Sequence, residues 1–266
     1  MTTQDLIRTL GAAEVYDLGQ PYFVGIPRHP NHPPYLYSMT KRHGDVVTPN
    51  GTSSAAESIA LGTHVGTHLD ALCHFSCGGV LFGGHKVAEL QSTTGGMRMH
   101  SVDQVKPMLR RGVLLDIAGQ QGVRALPKEF AITPEMFEQA VREQGVEVRA
   151  GDVVLIRTGW ANYWTDDELY LRQVEPGPEL PGGEWLSARK VFAAGSDTIC
   201  FERVPSPNMP VHVHLLVENG IHIIEALNME ELARARVYEF LFVAVPMKIQ
   251  GGTGAPVRPL AVVAKG

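Results

Sequence analysis

The segment Leu61–Phe75 reads LGTHVGTHLDALCHF and places His64, His68, Asp70 and His74 within eleven residues. Two imidazoles and a carboxylate form a donor set for a divalent ion, with positions left for water and substrate. Water on such an ion titrates near a pKa of about 7, so it can attack at neutral pH. His74 lies four residues past Asp70 and can move protons without being a ligand. The alternative is that these histidines are simply hydrogen-bonded core or loop residues. Four polar groups in this pattern favour the metal site.

The spacing restricts the shape of the segment. His64, Gly66, His68, Asp70 and His74 share parity, so a strand would show them on one face and Val65, Thr67 and Leu69 on the other. A straight strand fails. Six residues at about 3.3 Å each put about 20 Å between His64 and Asp70, against metal–ligand bonds of about 2 Å. A helix aligns His64 with His68 but turns Asp70 elsewhere. One ion gripped by all three therefore demands a bend. Gly66-Thr67 is the place for it, because glycine tolerates unusual dihedrals.

The surrounding elements alternate between strand and helix, which favours an α/β fold. Thr3–Ala13 has helical spacing in Leu6, Ile7 and Leu10. EVYDLGQPYFVGIP reads as a strand entering a turn, and PRHPNHPPY as an irregular loop whose His29 and His32 are expected to be exposed. Gly112–Ile117 and GDVVLIRTGW are expected buried strands. ITPEMFEQAVREQG is the clearest helix, capped by Thr133, opened by Pro134 and ended by Gly145. PGPELPGGEWLSARKVFAAG reads as a loop then a helix, SDTICFE as a strand, VHVHLLVENG as a helix, IHIIEAL as a strand and MEELARA as a helix. EFLFVAVPMKIQ and PVRPLAVVA read as closing strands. The Gly-rich stretches GGVLFGG and QGGTGAP lack the features of a P-loop or a dinucleotide fingerprint and are expected to be tight turns near a site.

The bulk properties suit a folded, soluble protein. The 266 residues are 44% hydrophobic and 19% charged, enough for a sizeable core. The formal net charge of −5 and the lack of a basic patch argue against a nucleic-acid partner. There is no apolar run of membrane-spanning length and no evident signal peptide. Three cysteines do not make a disulfide framework. The expectation is a cytoplasmic protein with free thiols, forming one domain over residues 1–266.

The signature H-x-G-T-H-x-D-x-P-x-H characterises the cyclase-like metal hydrolases, a group that includes kynurenine formamidases, isatin hydrolases and a trans-dienelactone hydrolase. His64–His74 reads H-V-G-T-H-L-D-A-L-C-H and resembles it closely. RGVLLDIAG, GDVVLIRTGW, PVHVHLLVENGIHIIEALNMEEL and VPMKIQGGTGAPVRPLAVV extend the likeness over most of the chain. Leu72 departs from the usual proline, which would stiffen the approach to His74. The resemblance implies a single α/β domain with a mixed, barrel-like central sheet flanked by helices. It implies that His64, His68 and Asp70 hold a metal and that His74 is the acid–base residue. It adds His212 and Glu225 as ligands of a second ion, with Asp70 bridging. His214 competes with His212, and only one of the two can face the site if the segment is helical. Zn²⁺ or Mn²⁺, one ion or two, suits these donors. A small-molecule substrate and a homo-oligomer, dimer or tetramer, are also implied.

The implied reaction is hydrolysis of a small amide, cyclic amide or lactone of the formamidase type. A dienelactone-type hydrolase, a metal-binding scaffold without catalysis and a thiol enzyme using Cys73 or Cys77 are the alternatives. Cys73 and Cys77 are expected to be buried small residues. Asp197 and Glu202 are expected in turn capping and salt bridges, with contact to the site or to a partner subunit as the alternative. Arg157, Trp160, Tyr22 and Phe23 are expected in the core or at a rim, and nothing in the sequence places His85.

Overall fold

The computed structural model describes residues 2–264. Met1 and residues 265–266, the ends of the 1–266 domain expectation, lie outside the described residues. Nine strands form the main sheet: β1 (Glu14–Asp17), β2 (His68–Asp70), β3 (Met108–Asp116), β4 (Val153–Arg157), β5 (Ala193–Ser196), β6 (His222–Glu225), β7 (Glu239–Ala244), β8 (Gly254–Pro256) and β9 (Leu260–Val263). Their order is β1-β9-β7-β3-β4-β5-β6-β2-β8. The central β3-β4-β5-β6 run is parallel. Every other pairing is antiparallel. The sheet is mixed and curls into a half-barrel flanked by helices, as expected for the fold, and stays open between its edges β1 and β8.

The apolar runs explain the centre. Strands covered on both faces need side chains that are apolar at every position. Val113–Leu115 and Val153–Ile156 supply them and are fully buried. Parity divides them between two cores. Leu114, Leu155 and Ile224 pack with Phe242 on one face. Val113, Val154 and Ile223 meet Phe137, Trp185 and Leu216 on the other. Phe137 comes from the helix Pro134–Gln144, which ends at a left-handed Gly145 as its sequence predicts, while Thr133 sits at its start without a side-chain capping bond. Trp185 comes from the helix Leu180–Ala188.

Two features differ from expectation. SDTICFE is not a strand: the strand is Ala193–Ser196, and the chain leaves the sheet after it. The Asp197 carboxylate explains the departure, since it accepts hydrogen bonds from Thr158 N (2.8 Å), Thr158 Oγ1 (2.7 Å) and Gly159 N (2.7 Å) at the end of β4. Leu36–Lys41 and Ala56–Ala60 form an exposed antiparallel hairpin that the sequence did not reveal. The N-terminal helix Thr3–Gly11 exists, but none of its residues is buried. No helix among the described residues is long and apolar enough to cross a membrane.

Candidate metal centre

His68 and Asp70 stand two apart on β2 and therefore share a face. In the antiparallel register β6 sets Glu225 opposite His68, and β8 sets Gly254 opposite Asp70. Glu225 Oε2 lies 3.2 Å from His68 Nε2. His64 reaches the same face from the bend. Gly66 is left-handed there, with φ of 72°. A Cβ at Gly66 would come 2.4 Å from Tyr22 Cζ. The Tyr22 hydroxyl lies 3.0 Å from the carbonyls of both Val65 and Thr67, clamping the turn. Thr67 Oγ1 donates to Ala226 O (2.6 Å) and accepts from Gln20 N (2.8 Å). The His64 ring lies over Gly254, whose missing Cβ would be 2.4 Å from it. Of the two Gly-rich stretches, QGGTGAP does border the centre. GGVLFGG instead forms a small hairpin, with Phe82 O accepting from His100 Nε2 at 3.1 Å.

His64 Nδ1 is 2.7 Å from Asp70 Oδ1, and its Nε2 is 2.9 Å from Thr253 Oγ1. His68 Nδ1 donates to Gly66 O at 2.8 Å, which makes Nε2 the nitrogen that offers its lone pair to a metal once its proton has left. Among the described residues, buried His68 Nε2 and Asp70 Oδ2 have no hydrogen-bond partner. Buried polar atoms without partners are costly, and a cation between them removes the cost. The donors present therefore fit a divalent ion.

His212 joins from the far side. Pro210–His212 runs into a π-helix, Val213–Glu218, a distortion that is frequent at functional sites. His212 points inward, whereas His214 turns out to Ser187 and Glu218. Glu202 Oε1 accepts from His212 Nδ1 (2.8 Å) and from His212 N (2.9 Å). Its Nε2 is hydrogen-bonded to Glu225 Oε1 at 3.2 Å and lies 4.0 Å from Asp70 Oδ2. Glu225 Oε1 is also held by Phe201 N at 2.7 Å.

Three donor triplets overlap: His64-Asp70-His74, His68-Asp70-Glu225 and Cys200-His212-Glu225, each with its ligand atoms within 4.8 Å of one another. Asp70 links the first two and Glu225 the last two. His64 and His68 flank Asp70 with ring centroids 5.2 Å apart, so the bend does gather the three side chains named from sequence.

Charge follows from these contacts. Burial works against a charged His68, but the Asp70 and Glu225 carboxylates outweigh it and lift the imidazole to about 10. Burial is likewise overcome at His212, where Glu202 and Glu225 raise the pKa to about 10. Burial and Asp70 push the Glu225 carboxyl up, and His212 and His68 bring it down to about 2. His74 behaves oppositely. Burial dominates and depresses it to about 3, so its imidazole is neutral at physiological pH. Its backbone N–H bonds Ala71 O at 2.8 Å, so a tight turn positions it despite Leu72. Its ring stacks on His64 at 3.8 Å.

A cavity of about 360 Å³ opens above the donors, lined among others by His29, His32, His74, Cys200, His212 and Glu225. His29 and His32 are therefore not free loop histidines. They are half-buried walls of this cavity, and His32 lies 5.2 Å from His64. Cys77 is exposed rather than buried, while Cys73 is buried as expected, its Sγ 3.8 Å from Gly252 O. Glu202 orients His212 and is more than a surface salt bridge. Its only sequence signal was a carboxylate amid apolar residues. Arg157 pairs with Asp116 (2.7 Å) and Glu230 (2.8 Å), in keeping with a structural role. His85 is exposed and packs near His100.

The cyclase family model, described as Putative cyclase, matches residues 16–203. The chain belongs to the cyclase family. The cyclase match includes His64, His68, Asp70, His74 and Glu202, and ends before His212 and Glu225. The chain is 27% identical over 216 residues to the isatin hydrolase of Roseibium aggregatum, covering 78% of this chain and 74% of that protein. It is 27% identical over 201 residues to the kynurenine formamidase of Salinibacter ruber, covering 76% of each. A crystal structure described as a novel cyclase superposes with a TM-score of 0.88 at 28% identity, covering 98% of this chain and 91% of that one.

Proposed function

We propose that this cyclase is a metal-dependent hydrolase of a small amide or cyclic amide. The observation that carries the reading is the pair of orphaned, buried donor atoms, His68 Nε2 and Asp70 Oδ2, beside a neutral His74 at the floor of a cavity. His64, His68, Asp70, His212 and Glu225 would hold the metal, Zn²⁺ or Mn²⁺. A divalent ion in that place supplies a Lewis acid for the carbonyl and a water acidified toward a pKa of about 7. The relatives named isatin hydrolase and kynurenine formamidase support amide chemistry.

The chain's own residues do the rest. Neutral His74 has a free lone pair, takes the proton from the attacking water and returns it to the leaving nitrogen. Its stacking on His64 holds the ring beside Asp70. His32, driven down to about 4 chiefly by burial, also stays neutral and offers a polar wall to a planar substrate. A cavity of about 360 Å³ is of a size for a small aromatic amide.

The test is hydrolysis of formanilide, isatin and an activated aryl lactone with added Zn²⁺ or Mn²⁺. Turnover of an amide, its loss with chelator and a drop of about 10²–10⁴-fold in His74→Ala are expected. Lack of turnover of all three with either metal would defeat the reading. Activity that survives chelator but not alkylation would favour a thiol enzyme.

A further inference from the structure

We infer that Cys200 is a metal ligand, which places a sulfur donor at the Cys200-His212-Glu225 end of the centre. The inference rests on the metal-hydrolase reading and adds to it a ligand that the reading does not include.

Cys200 occupies the loop after β5, where the chain leaves the sheet. Its position is fixed on both sides. Cys200 N donates to Glu175 Oε2 at 2.9 Å, and the next amide, Phe201 N, donates to Glu225 Oε1 at 2.7 Å. The Cys200 carbonyl accepts from Thr198 Oγ1 at 2.7 Å. A backbone tied to Glu225 keeps the Cys200 side chain beside the same carboxylate. Its Sγ falls within 4.8 Å of the donor atoms of His212 and Glu225, and all three residues are buried. Cys200 also lines the cavity.

The two other thiols are placed differently. Cys73 belongs to the hydrophobic core and Cys77 is exposed. His212 is prepared for the role as well. Its Nδ1 is engaged by Glu202, so Nε2 faces Glu225. A carboxylate behind the imidazole is the usual orienting device for a metal-bound histidine.

The two ends of the centre thus differ in softness. His68-Asp70-Glu225 offers one nitrogen and carboxylate oxygens. Cys200-His212-Glu225 offers sulfur, nitrogen and oxygen. Thiolate donors favour zinc, whereas manganese prefers oxygen. On binding, the Sγ–H proton leaves to solvent as the sulfur–metal bond forms, and no electron is transferred.

The test uses cobalt and zinc on the whole protein. Co²⁺ is titrated into wild type and Cys200→Ser, and the spectrum is read in two regions. Visible ligand-field bands report cobalt in the centre, and a near-ultraviolet band reports sulfur-to-cobalt charge transfer. Both are expected in wild type, with only the near-ultraviolet band lost in Cys200→Ser. Ligand-field bands without the sulfur band in wild type would overturn the inference and leave the hydrolase reading standing. A sulfur band that persists in Cys200→Ser would also overturn it, and bands of neither kind in wild type would overturn both. X-ray absorption on the zinc-loaded wild type needs no variant. A sulfur shell at about 2.3 Å is expected, and a shell of nitrogen and oxygen alone would refute the assignment.

Discussion

Glu225 stands directly across the sheet from His68, its Oε2 3.2 Å from the imidazole Nε2. The two residues are far apart in the chain, and the β2–β6 register alone joins them. Glu225→Gln leaves the register intact and removes the charge. It should lower bound metal, measured by elemental analysis after dialysis, and reduce kcat/KM by at least about tenfold. Unchanged metal content would show that Glu225 is not a ligand.

Glu202 acts on the centre through His212. Replacing it by alanine frees the ring and leaves His212 Nδ1 without its acceptor. Loss of such a partner costs about 10–100-fold in metal affinity. Calorimetric titration should show this for Glu202→Ala and a smaller loss for Glu202→Gln, which keeps an acceptor oxygen. Equal affinities for all three proteins would remove Glu202 from the account.

Metal and protons compete for the same lone pairs. His68 and His212, held near 10 by their carboxylate neighbours, are protonated in the metal-free protein. Their folded pKa values lie above the ordinary 6.5. The stability they contribute to the metal-free protein is therefore full below pH 6.5 and lost as pH rises through about 10. Metal binding must expel these protons, so affinity rises with pH over that range. Calorimetry in buffers of different ionisation enthalpy should detect proton release at neutral pH. A binding heat independent of buffer would contradict this.

Glu175, which accepts from the Cys200 amide, provides a second pH effect. Burial pushes its carboxyl up to about 8, so the folded state holds its proton more tightly than the unfolded chain. Stability then falls as pH rises from about 4.5 to about 8, by a few kcal/mol, and levels off above. Glu175→Gln keeps an acceptor for Cys200 N and abolishes this slope. Denaturation midpoints at acidic and alkaline pH should show the variant gaining on wild type as pH rises. Parallel curves would count against a neutral buried Glu175.

The bend can be tested by a single methyl group. Gly66→Ala forces a side chain into a left-handed conformation and against the Tyr22 ring. A destabilisation of about 1–3 kcal/mol is expected, seen as a melting temperature lower by several degrees. An unchanged Tm would mean that the turn relaxes freely.

What the sequence disclosed follows from range. The parity of His64, His68 and Asp70 and the glycine between them are local, so the bend at Gly66 was legible. The unbroken apolar runs of β3 and β4 showed buried strands for the same reason. Glu202 and Cys200 could not be read this way. Their roles arise where a loop leaving β5 meets the π-helix, and neither spacing nor composition encodes that meeting. His29 and His32 were misjudged because a proline-rich loop has no periodicity to show which side faces a cavity. SDTICFE has strand-like residues, but three hydrogen bonds to Asp197 draw the chain out of the sheet.

The central claim is that β2, the Gly66 bend and β6 gather their donors onto a divalent ion. Anomalous scattering from crystals grown with Zn²⁺ or Mn²⁺ tests it most directly. The account predicts a peak bounded by His68 Nε2, the Asp70 carboxylate and Glu225. Crystals soaked with either metal and showing no peak among those atoms would contradict it.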